Sequence, residues 1–225
     1  MSKNLQLIHD KILTSFINED FEKVDILLIE LLKESQKQQN KYYIASSHGI
    51  RGYMNYELGN INQAIEELQK AISVTQEKDR SFIDTGHLAL CYSKINDLEN
   101  AKYYADQAIK ASEELGHKGA MYDWYNLKAN ILSKFKNYDE AITWCDKSIN
   151  LIHSLARKEE FEINYYQPFL TKYEIYKMQN IAEKYYEIEK RLETFFHIID
   201  EPKLHVRRDK IKFYQLKNSG QVTGG

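Results

Sequence analysis

The sequence predicts an all-helical fold made of repeated helix pairs, on three observations. Glycine and proline are scarce, 9 and 2 in 225 residues, which leaves little material for tight turns. Leu, Ile, Lys and Glu are abundant and 17 tyrosines supply large packing groups, a composition that suits packed helices. One pattern also occurs three times, as GNINQAIEELQKAI from Gly59, NDLENAKYYADQAI from Asn96 and KNYDEAITWCDKSI from Lys136.

Each copy opens on a turn residue, with an apolar residue two later and alanine five later, at Ala64, Ala101 and Ala141. Small residues follow seven further on, at Ala71, Ala108 and Ser148. The marker alanines stand 37 and 40 residues apart, which is the period of a helical hairpin.

The elements follow in order. Forty residues before Ala64 stands Val24 in NEDFEKVDILLIELL, so a first hairpin is expected over about 4–38. The clear copies give hairpins over about 42–78, 81–115 and 118–156. Their upstream helices, HGIRGYMNY, GHLALCYSK and YNLKANILS, carry Gly52, Ala89 and Ala129 twelve residues before each marker. A looser copy, QNIAEKYYEIEKRLETFF, brings Ala182 near the next marker and predicts a fifth hairpin over about 160–197. EPKLHVRRDKIKFYQLK has Pro202 where a first helical turn tolerates it and Leu204, Ile211 and Phe213 among charges; it reads as a capping helix over 202–217. NSGQVTGG, 218–225, reads as a flexible tail. Residues 1–217 are expected as one solenoid domain, with atypical first and last copies because each hairpin buries a stripe that a neighbour must cover.

Little in the chain points to chemistry. The formal net charge of −2 builds in no general attraction to nucleic acid or anionic membrane. MSKNLQLIHDKI lacks the apolar core of a secretory signal, and no run nears the roughly 18 apolar residues of a membrane span, so a cytoplasmic location is expected. Cys91 and Cys145 stand far apart without ligand spacing and read as reduced, partly buried thiols. The seven histidines are scattered without the i, i+4 spacing of a helical zinc site. Ser46, Ser47 and His48 are adjacent, but helical neighbours point in different directions, which does not assemble a nucleophile and its base. No glycine-rich phosphate loop is present, paired acids such as Glu66 and Glu67 or Glu159 and Glu160 read as solvated faces, and no cofactor or metal is expected. The basic residues of the last helix, Lys203, Arg207, Arg208, Lys210, Lys212 and Lys217, are read first as a solvated cap with snorkelling stems. Tyrosines come in adjacent pairs, 42 and 43, 103 and 104, 165 and 166, 185 and 186, so one of each can pack while the other faces solvent or a groove.

The repeat resembles the tetratricopeptide repeat, a pair of antiparallel helices kept close by small residues, over roughly residues 4–197. The sequence departs from that pattern where His48 and Thr85 replace the early aromatic, which only Tyr125 supplies, and where the closing proline is missing, so helices can run a turn longer. The resemblance implies a right-handed superhelix of about five hairpins whose first helices line a concave, ligand-bearing surface.

On that assumption the inner positions are Ser46, Gly49, Tyr53, Tyr56 and Glu57 in the second hairpin and Ile83, Gly86, Leu90, Ser93 and Lys94 in the third. The fourth gives Asp123, Asn126, Asn130, Ser133 and Lys134; the last gives Tyr166, Phe169, Tyr173, Tyr176 and Lys177. An asparagine amide offers donors and an acceptor to a peptide backbone, aromatics offer pockets, and lysines can meet carboxylates. The clamp by which chaperone-binding members hold a C-terminal carboxylate is not matched, since its places hold Gly49 and Tyr53, His87, then Asp123 and Leu127. The period near 40 and the inner asparagines look more like the repeat domains of bacterial peptide-pheromone receptors (Rap, Rgg and PlcR-like). Here the repeats begin almost at the first residue, so no direct DNA reading is expected.

The expectation is therefore a non-enzymatic scaffold or regulator that binds an extended peptide or protein segment. The groove contacts expected are Tyr53, Tyr56, Lys94, Asn126, Asn130, Lys134 and Tyr173. The alternative is a structural self-association module, such as a homodimer, using exposed aromatics and the terminal helix.

Overall fold

The computed structural model describes residues 3–75, 78–155, 166–199 and 203–219. The expected start of the last hairpin at 160–165, with Glu159, Glu160 and Tyr165, lies outside these residues, as do Pro202 and the tail from 220. Among the described residues every regular element is an α-helix: α1 Lys3–Ile17, α2 Phe21–Lys37, α3 Lys41–Glu57, α4 Ile61–Val74, α5 Lys78–Lys94, α6 Leu98–Glu114, α7 Lys118–Lys134, α8 Tyr138–Leu155, α9 Gln167–Met178, α10 Ala182–Ile198 and α11 Leu204–Asn218. The helices pair in order, α1 with α2, α3 with α4, α5 with α6, α7 with α8 and α9 with α10. They group into two compact units, Met1–Leu115 and Gly116–Gly225.

One local device connects most of the helices. Glu19, Gln39, Gly59, Asn96, Gly116, Lys136 and Asn180 have positive φ, each one residue before the N-cap of the next helix. In six of these turns two backbone bonds close the preceding helix, as where Lys136 N–H donates to Ser133 O (2.9 Å) and Asn137 N–H to Leu132 O (3.0 Å). This is the Schellman closure, which satisfies the last carbonyls of a helix. The following residue then starts the next helix: Asp20, Asn40, Asp97 and His117 each accept the N–H of the third helical residue at 3.2–3.3 Å. A left-handed residue backed by a cap therefore ends these helices, where the family pattern uses proline.

The markers have a simple structural meaning. Ala64, Ala101 and Ala141 are the fourth residues of α4, α6 and α8 and have no solvent exposure, and Val24 holds the same place in α2. In α10 the fourth residue is Tyr185, so the sequence alignment on Ala182 is three residues out of register. On the first helices, a Cβ on Gly52 would lie 2.6 Å from Leu68 Cγ and 3.2 Å from Leu68 N, so α3 and α4 touch where only glycine fits.

In the first unit, Leu5, Ile8 and Ile12 of α1 pack with Val24, Leu28 and Leu31 of α2 and Tyr43 and Met54 of α3. In the second, Tyr166, Leu170 and Tyr173 pack with Leu192, Phe195 and Phe196 of α10 and with Val206 and Phe213 of α11. The terminal helix does cap this core, and several of its charges are paired inward rather than solvated. Lys212 meets Glu174 at 2.6 Å, Lys217 pairs with Glu193, Lys210 Nζ donates to Phe196 O at 2.7 Å, and Asp209 accepts the Tyr166 hydroxyl at 2.6 Å. The tyrosine pairs divide as their 100° offset requires: Tyr43 is buried and Tyr42 exposed, and Tyr103 and Tyr186 are exposed beside half-buried Tyr104 and Tyr185.

Candidate functional site

In the first unit, the face formed by α1, α3 and α5 holds a pocket of about 220 Å³. It is lined by Leu13 and Phe16 of α1, Ser46, Gly49, Ile50 and Tyr53 of α3, and Ile83, Asp84 and His87 of α5. Helical spacing brings these side chains together, since 46, 49, 50 and 53 are one turn apart on one face. Tyr53 is the centre of an aromatic group, stacked on His87 at 4.3 Å between centroids, on Phe16 at 5.6 Å and on Tyr56 at 6.1 Å. The missing side chain of Gly49 leaves room for Asp84, whose Oδ1 lies where a Cβ would come. The Nδ1 atom of His87 is withdrawn from water, and this loss of hydration holds the imidazole pKa down at about 4, so the ring is neutral at pH 7.

Behind the pocket, Ser46 Oγ is 2.9 Å from His9 Nε2, and the Tyr43 hydroxyl donates to Gln6 Oε1 at 2.7 Å; both bonds tie α1 to α3. Ser47 Oγ instead donates to Tyr43 O, and His48 Nδ1 lies 2.7 Å from Glu67 Oε2 on α4. Three neighbours in sequence thus serve three separate contacts, as their helical directions require. Burial pushes the Cys91 and Cys145 thiols up to about 12, so neither is a reactive thiolate at neutral pH.

In the second unit, Asn126 and Asn130 of α7 are half-buried and joined through Thr171 of α9. Asn130 Nδ2 donates to Thr171 Oγ1 at 3.0 Å, and the Thr171 hydroxyl lies 3.0 Å from Asn126 Oδ1, to which it can donate, and 3.1 Å from Gln167 O. Asn130 Nδ2 also reaches Asn126 O at 3.2 Å. This chain of bonds fixes the orientation of both amides. Half of each is committed to the α7–α9 contact, while Asn126 Nδ2 and Asn130 Oδ1 make no bond to a described residue.

The other expected contacts fall into two groups. Tyr53 is half-buried in the pocket lining, Tyr56 is half-buried beside it against the core of Leu68, Leu88 and Cys91, and Lys94 and Lys134 are exposed at the ends of α5 and α7. Tyr173 is a correction: it is fully buried, its hydroxyl donates to Glu189 Oε2 at 2.6 Å, and Phe213 packs against its ring. The reason is register. Gly52, Ala89 and Ala129 each lie seven residues before their left-handed turn residue, and seven before Asn180 is Tyr173, so it holds the anchor position between helices. The next residue, Glu174, takes the place expected of Tyr173, where burial raises its carboxyl pKa against the opposing pull of Lys212 and Lys134.

Sequence reasoning missed Leu13, Phe16, Ile50, Asp84 and Thr171. A signal existed for two of them, because Leu13 and Phe16 lie 40 residues before Tyr53 and Tyr56, one repeat period back. Thr171 carried none, since its role depends on which helix packs against α7.

The model of the tetratricopeptide repeat matches residues 45–78, 86–115 and 122–152, the three clear copies. No curated protein matches the chain. Among solved structures the chain is similar to BtubC from P. vanneervenii, at 16% identity over 88% of this chain and 83% of that one, with a TM-score of 0.70. It is also similar to the nearly identical TPR-like repeats of a putative kinesin light chain from Podosopora anserina, at 12% identity over 87% and 97% of the two chains, with a TM-score of 0.64. A third likeness is to a signal-transduction ATPase with a tetratricopeptide-repeat sensor from Pyrococcus horikoshii, at 16% identity and a TM-score of 0.65, where 88% of this chain covers 31% of that one. At such identities the likeness is one of fold. The matched segments, their buried small residues and the paired helices agree: this chain carries tetratricopeptide repeats at residues 45–78, 86–115 and 122–152.

Proposed function

We propose that this protein is a cytoplasmic, non-catalytic regulator or scaffold that binds a peptide or an extended segment of a protein partner on its first-helix faces. The observation that carries this reading is the Asn126–Thr171–Asn130 chain. It holds one amide's donors and the other's acceptor in fixed orientation, which is what recognition of a peptide N–H and C=O requires without regard to side chain. Tyr53 and Tyr56 supply aromatic contact in the first unit, and the exposed Lys94 and Lys134 can meet carboxylates. The two unpaired, buried cysteines suit a reducing compartment. The resemblance to pheromone-receptor repeats supports the same reading.

The test is to select binders from a random peptide library on the full chain and measure their affinities by calorimetry. The double variant Asn126→Ala, Asn130→Ala removes two backbone contacts worth roughly 1 kcal/mol each, so a loss of at least about tenfold is expected. Unchanged affinity in a variant that still melts cooperatively would remove the assignment.

The exposed Tyr42, Tyr103 and Tyr186 favour a second reading, self-association. Sedimentation across a concentration series separates the two, because a peptide receptor need not associate without its ligand.

A further inference from the structure

The pocket between α1, α3 and α5 has a chemistry of its own. Its walls are chiefly apolar, from Leu13, Phe16, Ile50, Tyr53 and Ile83. The imidazole of His87 adds a neutral ring rather than a cation. The polar groups have other work: Ser46 is bonded to His9, and the Asp84 carboxylate is packed over Gly49. The apolar walls give an ionic side chain little in exchange for its lost hydration, and the one carboxyl group of the lining, Asp84, is itself buried.

Size narrows the occupant further. At about 220 Å³ the pocket is smaller than the roughly 300–1,000 Å³ of sites that enclose a whole small-molecule ligand. It is larger than the roughly 150 Å³ apolar cavity known to accept benzene. One aromatic ring or branched aliphatic side chain fits that interval. The opening is bordered by Leu13 and Ile83, 42% and 38% exposed, so the lining is reachable from solvent.

From the size and lining of this pocket we infer that it takes a single uncharged apolar side chain, aromatic or branched, from the bound partner segment. This deepens the peptide-binding reading and rests on it. The pocket supplies selectivity for sequence, whereas Asn126 and Asn130 supply contacts blind to sequence. The aromatic group around Tyr53 is the surface against which the side chain packs.

The test uses probes that carry a side chain but no extended peptide: the N-acetyl amides of Phe, Leu, Asn, Lys and Asp. They are titrated into the full ¹⁵N-labelled chain and followed by NMR. Saturable shifts at the amides of Tyr53, Ile83 and His87 are expected for the Phe and Leu probes and absent for Lys and Asp. Two variants fill the pocket from its exposed border, Ile83→Trp and Leu13→Trp, and at least one that melts like the parent is expected to weaken the Phe probe fivefold or more. The inference is overturned by no saturable shift with Phe or Leu, by equal shifts with Lys or Asp, or by full affinity in both filled variants. Because the probes do not depend on Asn126 and Asn130, the pocket can fail while selected peptides still bind. It can also succeed while the asparagine variants bind normally.

Discussion

His87 shows how one side chain can report on the pocket. Unfolded, its imidazole titrates near 6.5; in the folded protein, loss of hydration lowers this to about 4. Between those values the unfolded chain binds a proton that the folded chain refuses. The contribution to stability is therefore full above about pH 6.5 and is lost as pH falls towards 4. By pH 5 the loss attributable to His87 is on the order of 2 kcal/mol. Thermal melts at pH 7 and pH 5 check this, and His87→Gln is expected to lose less stability over that interval than the parent. Equal losses in the two proteins would mean that the ring is hydrated and the Tyr53 stack is loose. The sequence showed His87 only as the residue at one unmatched place of the carboxylate clamp, because the burial of a ring nitrogen depends on contacts between helices.

At the scale of the element, the turns and the close helix contacts set stability. Lys136 is held at φ 62°, a region that costs a residue with a side chain about 1 kcal/mol. Lys136→Gly relieves that strain but adds freedom to the unfolded chain, so a net gain of a few tenths to about 1 kcal/mol is expected in urea unfolding. Gly52→Ala should act in the opposite sense, losing about 1–3 kcal/mol, because Leu68 and its backbone stand where the new Cβ would go. Similar stability for both variants would show that α3 and α4 can separate without penalty. These elements were the part of the fold most legible in the sequence, since a buried Ala at the fourth position of a helix is a local requirement that repeats with the period. Tyr173 was not legible for the same reason. The last copy replaces the small anchor by tyrosine, and without that anchor the alignment slipped by one residue, which rotates a helical position by about 100° from groove to core. Thr171 depends on the packing of α9 on α7, and spacing alone cannot supply that.

For the whole molecule, net charge and cysteine use fit a binding module, and among the described residues no helix is long and apolar enough to cross a membrane. Two of the basic residues of the terminal helix, Lys212 and Lys217, are paired with Glu174 and Glu193, which lowers the charge that this helix presents. On the proposed reading, binding and core packing are divided between two kinds of helix. The first helices of the hairpins, α3, α5 and α7, carry the pocket and the asparagines, while α4, α6 and α8 carry the marker residues of the core. Amide hydrogen exchange of the full chain, with and without a saturating selected peptide, tests this division most directly. Added protection is expected in α3, α5 or α7 and little change in α4, α6 and α8; protection confined to the second helices, or none at all, would contradict it.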